Sequence, residues 1–246
     1  MWNRLRKGCS AMTIEINAQF KEAFDLIKST NKSVFITGKA GTGKSTLLRY
    51  LKTALKKKMV VLAPTGIAAL NVEGATMHSF FNLPHRIIQA KELHFANSTK
   101  LEVMKTLQTL IIDEISMVRA DVLDGIDHIL RVVRKNGAPF GGVQLVLFGD
   151  LHQLPPVVNK EEVEIFATLY PAPYFFMAKV FQEYPINRIT LTKIYRQADP
   201  KFITVLNHIR NNKIGANDCA ILNACVDKEE RPGRSEEHTS ELQSQR

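Results

Sequence analysis

The sequence predicts an α/β fold, a parallel sheet with helices on both faces. Three observations carry that prediction. Short apolar runs of strand length alternate with amphipathic helical stretches along the 246 residues. A glycine-rich signature, Gly38-Lys39-Ala40-Gly41-Thr42-Gly43-Lys44-Ser45, stands between the first such run and the next helical stretch. Each later block of chemistry-bearing residues follows another apolar run, as in open parallel sheets whose sites gather at the carboxyl ends of the strands.

Taken in order, Asn17 caps a helix whose apolar positions Phe20, Ala23, Phe24 and Ile27 recur at helical spacing. Val34 to Thr37 is the first strand, followed by the glycine-rich loop and a helix through Leu47 to Leu55. Met59 to Ala63 reads as a buried strand ending in the turn Pro64-Thr65-Gly66, and Ile67 to Asn71 as a short helix. Gly74 to Phe81 is expected as a loop or short strand, and Pro84 to Lys100 as helical pieces outside the sheet. Leu110-Ile111-Ile112 is a third buried strand, ending at Asp113-Glu114. A long helix presents Val122, Leu123, Ile126, Ile129, Leu130 and Val133 on one face, with Gly137 as its stop. Gln144 to Phe148 is a fourth strand, closed by Gly149-Asp150. Beyond Pro155-Pro156 the pattern loosens. Ile189 to Leu191 is a further strand, and Asp199 opens a helix expected to turn Phe202, Leu206 and Ile209 inward.

The loop has a specific physics. Glycines at 38, 41 and 43 let the backbone curl so that successive N–H groups point at phosphate oxygens. The helix that follows adds its unsatisfied amides and positive dipole end. Lys44 suits the β- and γ-phosphates, Ser45 suits Mg²⁺, and Thr46 continues the cradle. A nucleotide site follows. Asp113, at a strand end, suits the Mg²⁺ carboxylate, and Glu114 a general base that orients the attacking water. Without the loop, the same pair reads as helix-initiating acids. Gln153, before the rigid Pro155-Pro156, suits a γ-phosphate or the attacking water, or is part of a plain strand-ending turn. Arg196 suits a second cation for the transferring phosphoryl group, or a surface ion pair.

Composition narrows the partners. A formal net charge of +9 favours a polyanion, nucleic acid first, although solvated lysines alone produce such a balance. No apolar run approaches the roughly 18–20 residues that span a membrane. Three cysteines and seven histidines lack metal-ligand spacing, and reduced thiols fit a cytoplasm. An LSGGQ-like run and an N-K-x-D guanine reader, expected of a transporter subunit and a GTPase, are absent.

Five blocks occur in order: GKAGTGKS, APTGIAA with TMHSFF, LIIDEISM, FGDLHQLPP and IYRQ. Together, over roughly Glu15 to Val226, they resemble the Pif/RecD-type DNA helicases of superfamily one, which move 5′ to 3′ on single-stranded DNA. The resemblance implies a RecA-like P-loop NTPase lobe, ATP and Mg²⁺, and partners in single-stranded DNA and DNA junctions, in replication, recombination or repair. It matches Gln19 to the residue that reads adenine, Lys44 and Ser45 to the phosphate and Mg²⁺ contacts, and Asp113 and Glu114 to the Mg²⁺ carboxylate and base. Gln153 and Arg196 match the γ-phosphate sensors, and Thr65, His78, Ser79 and Phe80 fall in blocks that face DNA. His78 or Phe80 would stack on a base, although an adjacent pair such as Phe80-Phe81 is more often one core and one surface ring than two platforms. The alternative is a nucleotide-dependent DNA-binding module that does not unwind.

The expected organisation is an arm over 1–12, a lobe over 13–211, the start of a connection over 212–232 to an absent second lobe, and a tail over 233–246. The arm reads as disordered or as translation upstream of a start at Met12, and without an apolar h-region it is no secretory signal. The polar tail from about Gly233 equals a one-frame translation of a common short-read sequencing adapter. It is expected to be a library artefact fused to an incomplete reading frame, the alternative being a natural disordered tail. A cytoplasmic monomer is expected, in a bacterial cytoplasm or nucleoid.

Overall fold

The computed structural model describes residues 17–89, 93, 98–195 and 199–225. Contacts divide it into two compact units, one through Arg196 and one from Gln197. The first unit is built on six strands: β1 (Val34–Gly38), β2 (Met59–Ala63), β3 (Ala75–Thr76), β4 (Thr109–Ile112), β5 (Gln144–Gly149) and β6 (Asn187–Leu191). They lie in the order β3-β2-β4-β5-β1-β6, and every neighbouring pair is parallel. The helices of this unit are α1 (Ala18–Ser29), α2 (Lys44–Ala54), α3 (Gly66–Asn71), α4 (Met77–Phe81), α5 (Ser98–Thr106), α6 (Ala120–Arg134), α7 (Val163–Leu169) and α8 (Val180–Glu183).

Because side chains alternate across a strand, each apolar run splits between two cores. Val34, Ile36, Ile111, Val146 and Phe148 join Phe20, Phe24 and Ile27 of α1 and Leu47, Leu48 and Leu51 of α2. Phe35, Leu110, Ile112, Leu145 and Leu147 face the other way, against Met77 and Phe81 of α4 and Leu123, Ile126, Ile129 and Leu130 of α6. Each such side chain is worth about 1.5–3 kcal/mol on burial. Among the described residues, no helix is long and apolar enough to cross a membrane.

Asn17 caps α1 as expected, its Oδ1 accepting from the Phe20 N–H at 2.8 Å. Two expectations change. Gly74 to Phe81 holds the expected short strand, β3, but continues into a helix, started where the Thr76 Oγ1 accepts from the Ser79 N–H at 3.2 Å. Helix α6 stops at Lys135 in the left-handed conformation (φ 51°), with its N–H bonded to Arg131 O and Val132 O, so Gly137 is not its terminator. The alternative of Asp113 and Glu114 as helix-initiating acids fails: a 3₁₀ turn at Ile115–Met117 intervenes before Ala120.

The second unit contains α9 (Pro200–Arg210) and α10 (Ala216–Ala224). Asp199 caps α9, accepting from the Lys201 N–H at 2.9 Å. The expected inward face is corrected: Val205 is the buried position, while Leu206 and Ile209 are exposed and Phe202 is half-buried. The helix is oriented by His208, one turn after Val205, whose Nδ1 bonds both Asp218 carboxylate oxygens of α10 at 2.9 Å. Cys219 and Cys225 are free and exposed.

Candidate nucleotide site and the neighbouring groove

The C-terminal ends of β1, β4 and β5 converge on a cavity of about 350 Å³. Its wall on the β1 side is Ala40, Gly41, Gly43, Lys44, Ser45 and Thr46. Glu114 enters from the end of β4, Gln153 from the loop after β5, and Tyr195 from the segment after β6. Gly43, at φ 87°, starts α2, and a Cβ there would meet the Phe20 ring at 2.8 Å. At Gly38 a Cβ would meet Thr42 Oγ1 at 2.6 Å and Leu191 O at 2.7 Å, so this turn is closed to any larger residue. The Thr42 hydroxyl, buried, donates to Lys39 O at 2.8 Å and braces the loop from below. Lys44 Nζ lies across the loop, donating to Gly38 O at 2.7 Å and Lys39 O at 3.2 Å. Ser45 and Thr46 are exposed to the cavity.

Glu114 is held in the left-handed region (φ 50°, ψ 43°), a conformation that costs a non-glycine residue of order 1–2 kcal/mol. Its N–H donates to Asp113 Oδ1 at 3.0 Å, and the Asp113 N–H donates to Leu62 O at 2.9 Å, which ties the pair to β2. Burial is the main influence that pushes the Asp113 carboxyl above the ordinary aspartate value, against the Glu114 N–H and the Lys44 ammonium. Burial also raises Glu114, followed by the negative charge of Asp113; Lys44 opposes and Asp150 adds. The two acids therefore hold charge at a cost, and an incoming cation would relieve it.

Gln153 is exposed and reaches the cavity from a turn built by Asp150. The Asp150 carboxylate accepts from the His152 N–H at 3.1 Å, and its carbonyl accepts from the Gln153 N–H at 2.9 Å. Gln19 is not on the cavity wall. Its Nε2 donates to Thr190 O at 2.7 Å and its Oε1 accepts from the Thr192 N–H at 3.0 Å, so the amide clamps α1 to the end of β6. Arg196 lies outside the described residues. Sequence reasoning missed Tyr195 and Asp150. The Tyr195 N–H donates to Gly41 O at 2.8 Å, and its hydroxyl accepts from Asn17 Nδ2 at 3.0 Å. Their only signal was position, each next to a residue already singled out.

A second groove of about 270 Å³ opens at the ends of β2 and β3, lined by Pro64, Thr65, His78, His85, Arg119 and Asn159 among others. The Thr65 hydroxyl caps α3, accepting from the Ala68 N–H at 3.2 Å. The His78 ring is half-buried and stacks on His85, centroids 4.6 Å apart and planes 7° from parallel. Burial, then the adjacent His85 and Arg119, hold the His78 imidazole below its ordinary value, against Asp121. Ser79 is exposed, its carbonyl accepting from Lys100 Nζ. Phe80 packs edge-on to Phe81 at 4.9 Å and against the core, so its ring is not the open platform expected of it.

Relatives share this architecture. The PIF1-like helicase family model matches residues 14–219. The ATP-dependent DNA helicase PIF1 of Emericella nidulans is 36% identical over 208 residues, covering 79% of this chain and 26% of the relative. The human ATP-dependent DNA helicase PIF1 is 37% identical over 183 residues, covering 73% of this chain and 27% of its own length. The crystal structure of Bacteroides Pif1 bound to single-stranded DNA aligns with a TM-score of 0.83 at 43% identity, over 89% of this chain and 52% of that one. Its complex with ADP-AlF3 and single-stranded DNA aligns at 0.84 and 42%, over 90% and 52%. The chain thus spans about a quarter of the curated relatives and about half of those solved chains. The matched span of the family model, over a parallel sheet whose strand ends bring Lys44, Glu114 and Gln153 to one cavity, makes this chain a member of the PIF1-like helicase family.

Proposed function

We propose that this chain is the first motor lobe of an ATP-dependent DNA helicase that moves 5′ to 3′ and couples ATP hydrolysis to strand separation at junctions. The observation that carries the reading is the single cavity shared by the phosphate loop, Glu114 and Gln153. Each group has a role. Lys44 exchanges the Gly38 and Lys39 carbonyls for β- and γ-phosphate oxygens. Ser45 Oγ and the Asp113 carboxylate are hard oxygens that would hold Mg²⁺, which would supply charge neutralisation at the transferring phosphoryl group. Glu114 accepts the proton of the attacking water, and Gln153 orients that water or the γ-phosphate. Arg196 supplies a further cation, and Gln19 releases β6 to read the adenine edge. Thr65, His78 and Ser79 line the path of single-stranded DNA, with Phe80 supporting it from the core.

The alternative is that the lobe binds nucleotide and DNA without unwinding. ATP hydrolysis by the full chain, with and without a single-stranded oligonucleotide at two salt concentrations, separates the two. Stimulation by DNA that weakens as salt rises supports the motor lobe, since phosphate contacts release counterions. Nucleotide binding with no DNA stimulation leaves the module. We read the lobe as a monomer, and a sedimentation coefficient of a dimer would reverse that.

A further inference from the structure

We infer that His85 is the base-stacking platform of the groove at the ends of β2 and β3, and that the His78 ring beneath it is a buttress. The inference rests on the DNA-binding reading above and deepens it. Of the aromatic rings at this edge, two are already committed. Phe80 lies edge-on to Phe81 and packs on the core. One face of the half-buried His78 ring is covered by His85, parallel at 4.6 Å. His85 itself is exposed and lines the groove, so the face turned away from His78 is presented outward. The His78 ring supports it from behind, parallel at 4.6 Å. Arg119, also in the groove, is engaged by Asp121 at 2.6 Å and Glu162 at 3.6 Å, so it contributes shape and not a free cation. A flat, braced aromatic face beside hydroxyl-bearing Thr65 suits a nucleobase of a single strand. Stacking of this kind tolerates any base, because every base has a π-face. The lining mixes apolar Met77, Val122 and Val157 with polar Thr65, Arg119 and Asn159, which suits a nucleobase with an apolar face and polar edges.

The test uses the full chain and an oligothymidylate carrying two adjacent 2-aminopurines, read by anisotropy for affinity and by 2-aminopurine fluorescence for stacking. His85→Ala should weaken binding about 5- to 100-fold and abolish the quenching that stacking produces. His85→Phe should restore both. The dependence of affinity on salt should be the same in all three proteins, since a stacked ring neutralises no phosphate. Wild-type affinity and quenching in His85→Ala would overturn the inference while the DNA-binding reading stands. Equal weakening in His85→Ala and His85→Phe, with lowered melting temperatures, would also overturn it, by making His85 a lid on His78. No binding by the wild-type chain would remove the DNA-binding reading and this inference with it.

Discussion

Two pairs of carboxylates sit close together in the chain and are treated in opposite ways. Asp121 and Asp127, on α6, are supplied with donors. Asp121, with no exposed side chain, receives Arg119 at 2.6 and 2.9 Å and the Ile88 N–H at 2.8 Å. Asp127 receives Arg131 at 2.8 Å and the Phe140 N–H at 2.6 Å. Asp113 and Glu114, at the end of β4, are pressed together in a partly buried site, and both are pushed above their ordinary values. The first pair joins α6 to its surroundings and is satisfied by the fold. In the second pair, burial outweighs the Glu114 N–H on Asp113 and the opposing Lys44 ammonium. We take the first pair as structural and Glu114, half-buried on the wall of the phosphate-loop cavity, as chemical.

The largest effect expected from this contrast is on turnover. Glu114→Gln keeps shape and removes the base, so ATP hydrolysis should fall about 10²–10⁴-fold while nucleotide still binds. The same substitution should raise the melting temperature of the nucleotide-free protein. The sign follows from linkage: a carboxyl whose folded pKa is raised costs stability once ionised, above that pKa, and the cost fades as pH falls through it. The gap in melting temperature between variant and wild type should therefore be widest near neutral pH and close on acidification. A variant that melts below wild type at neutral pH would show that Glu114 is held as Asp121 is, and the comparison would break.

Asp121→Ala is the opposite case, expected to affect stability and not chemistry. It leaves the Ile88 N–H without its acceptor and takes from the Arg119 guanidinium its shortest contact, leaving it Arg86 O at 3.0 Å and Glu162 at 3.6 Å. Removing one partner of a buried, hydrogen-bonded pair costs about 3–5 kcal/mol, which urea denaturation would read as a lower midpoint. A loss below about 1 kcal/mol would place this pair among exposed ion pairs instead.

The difference between the two pairs was half legible in the sequence. Asp113 and Glu114 end a three-residue apolar run downstream of a phosphate loop, and that local pattern marks them. Asp121 has Arg119 two residues before it, but its second donor, the Ile88 N–H, comes from 33 positions away and no local pattern shows it. The same division runs through the fold. Helices α1 and α2 and strands β1, β2 and β5 were legible because periodicity is a local property. Helix α4 was not, because five residues are too few to show a helical period and its start depends on the Thr76 hydroxyl. The end of α6 was misread because Lys135 takes the left-handed turn that Gly137 would have made more easily. In the site, the phosphate loop was contiguous and readable. Tyr195 and Asn17 meet across 178 positions of chain, and no motif links them.

Asn17 serves both the fold and the site, and it gives the smallest and most discriminating effect. One side-chain atom serves the fold, Oδ1 accepting from the Phe20 N–H at 2.8 Å. The other serves the site, Nδ2 donating at 3.0 Å to the hydroxyl of Tyr195, which lines the nucleotide cavity. Asn17→Ala removes both, and should lower stability by about 1 kcal/mol through loss of the cap. Asn17→Ser separates them: serine caps a helix as well as asparagine does, but its shorter side chain does not reach Tyr195. Serine should therefore restore most of the stability lost in the alanine variant. If the Tyr195 wall is set by Asn17, both variants should share a several-fold weaker affinity for ATP, measured by titration of a fluorescent analogue. Full ATP affinity in Asn17→Ser would assign Asn17 to the fold alone, leaving the Gly41 carbonyl to hold Tyr195 through its backbone N–H at 2.8 Å.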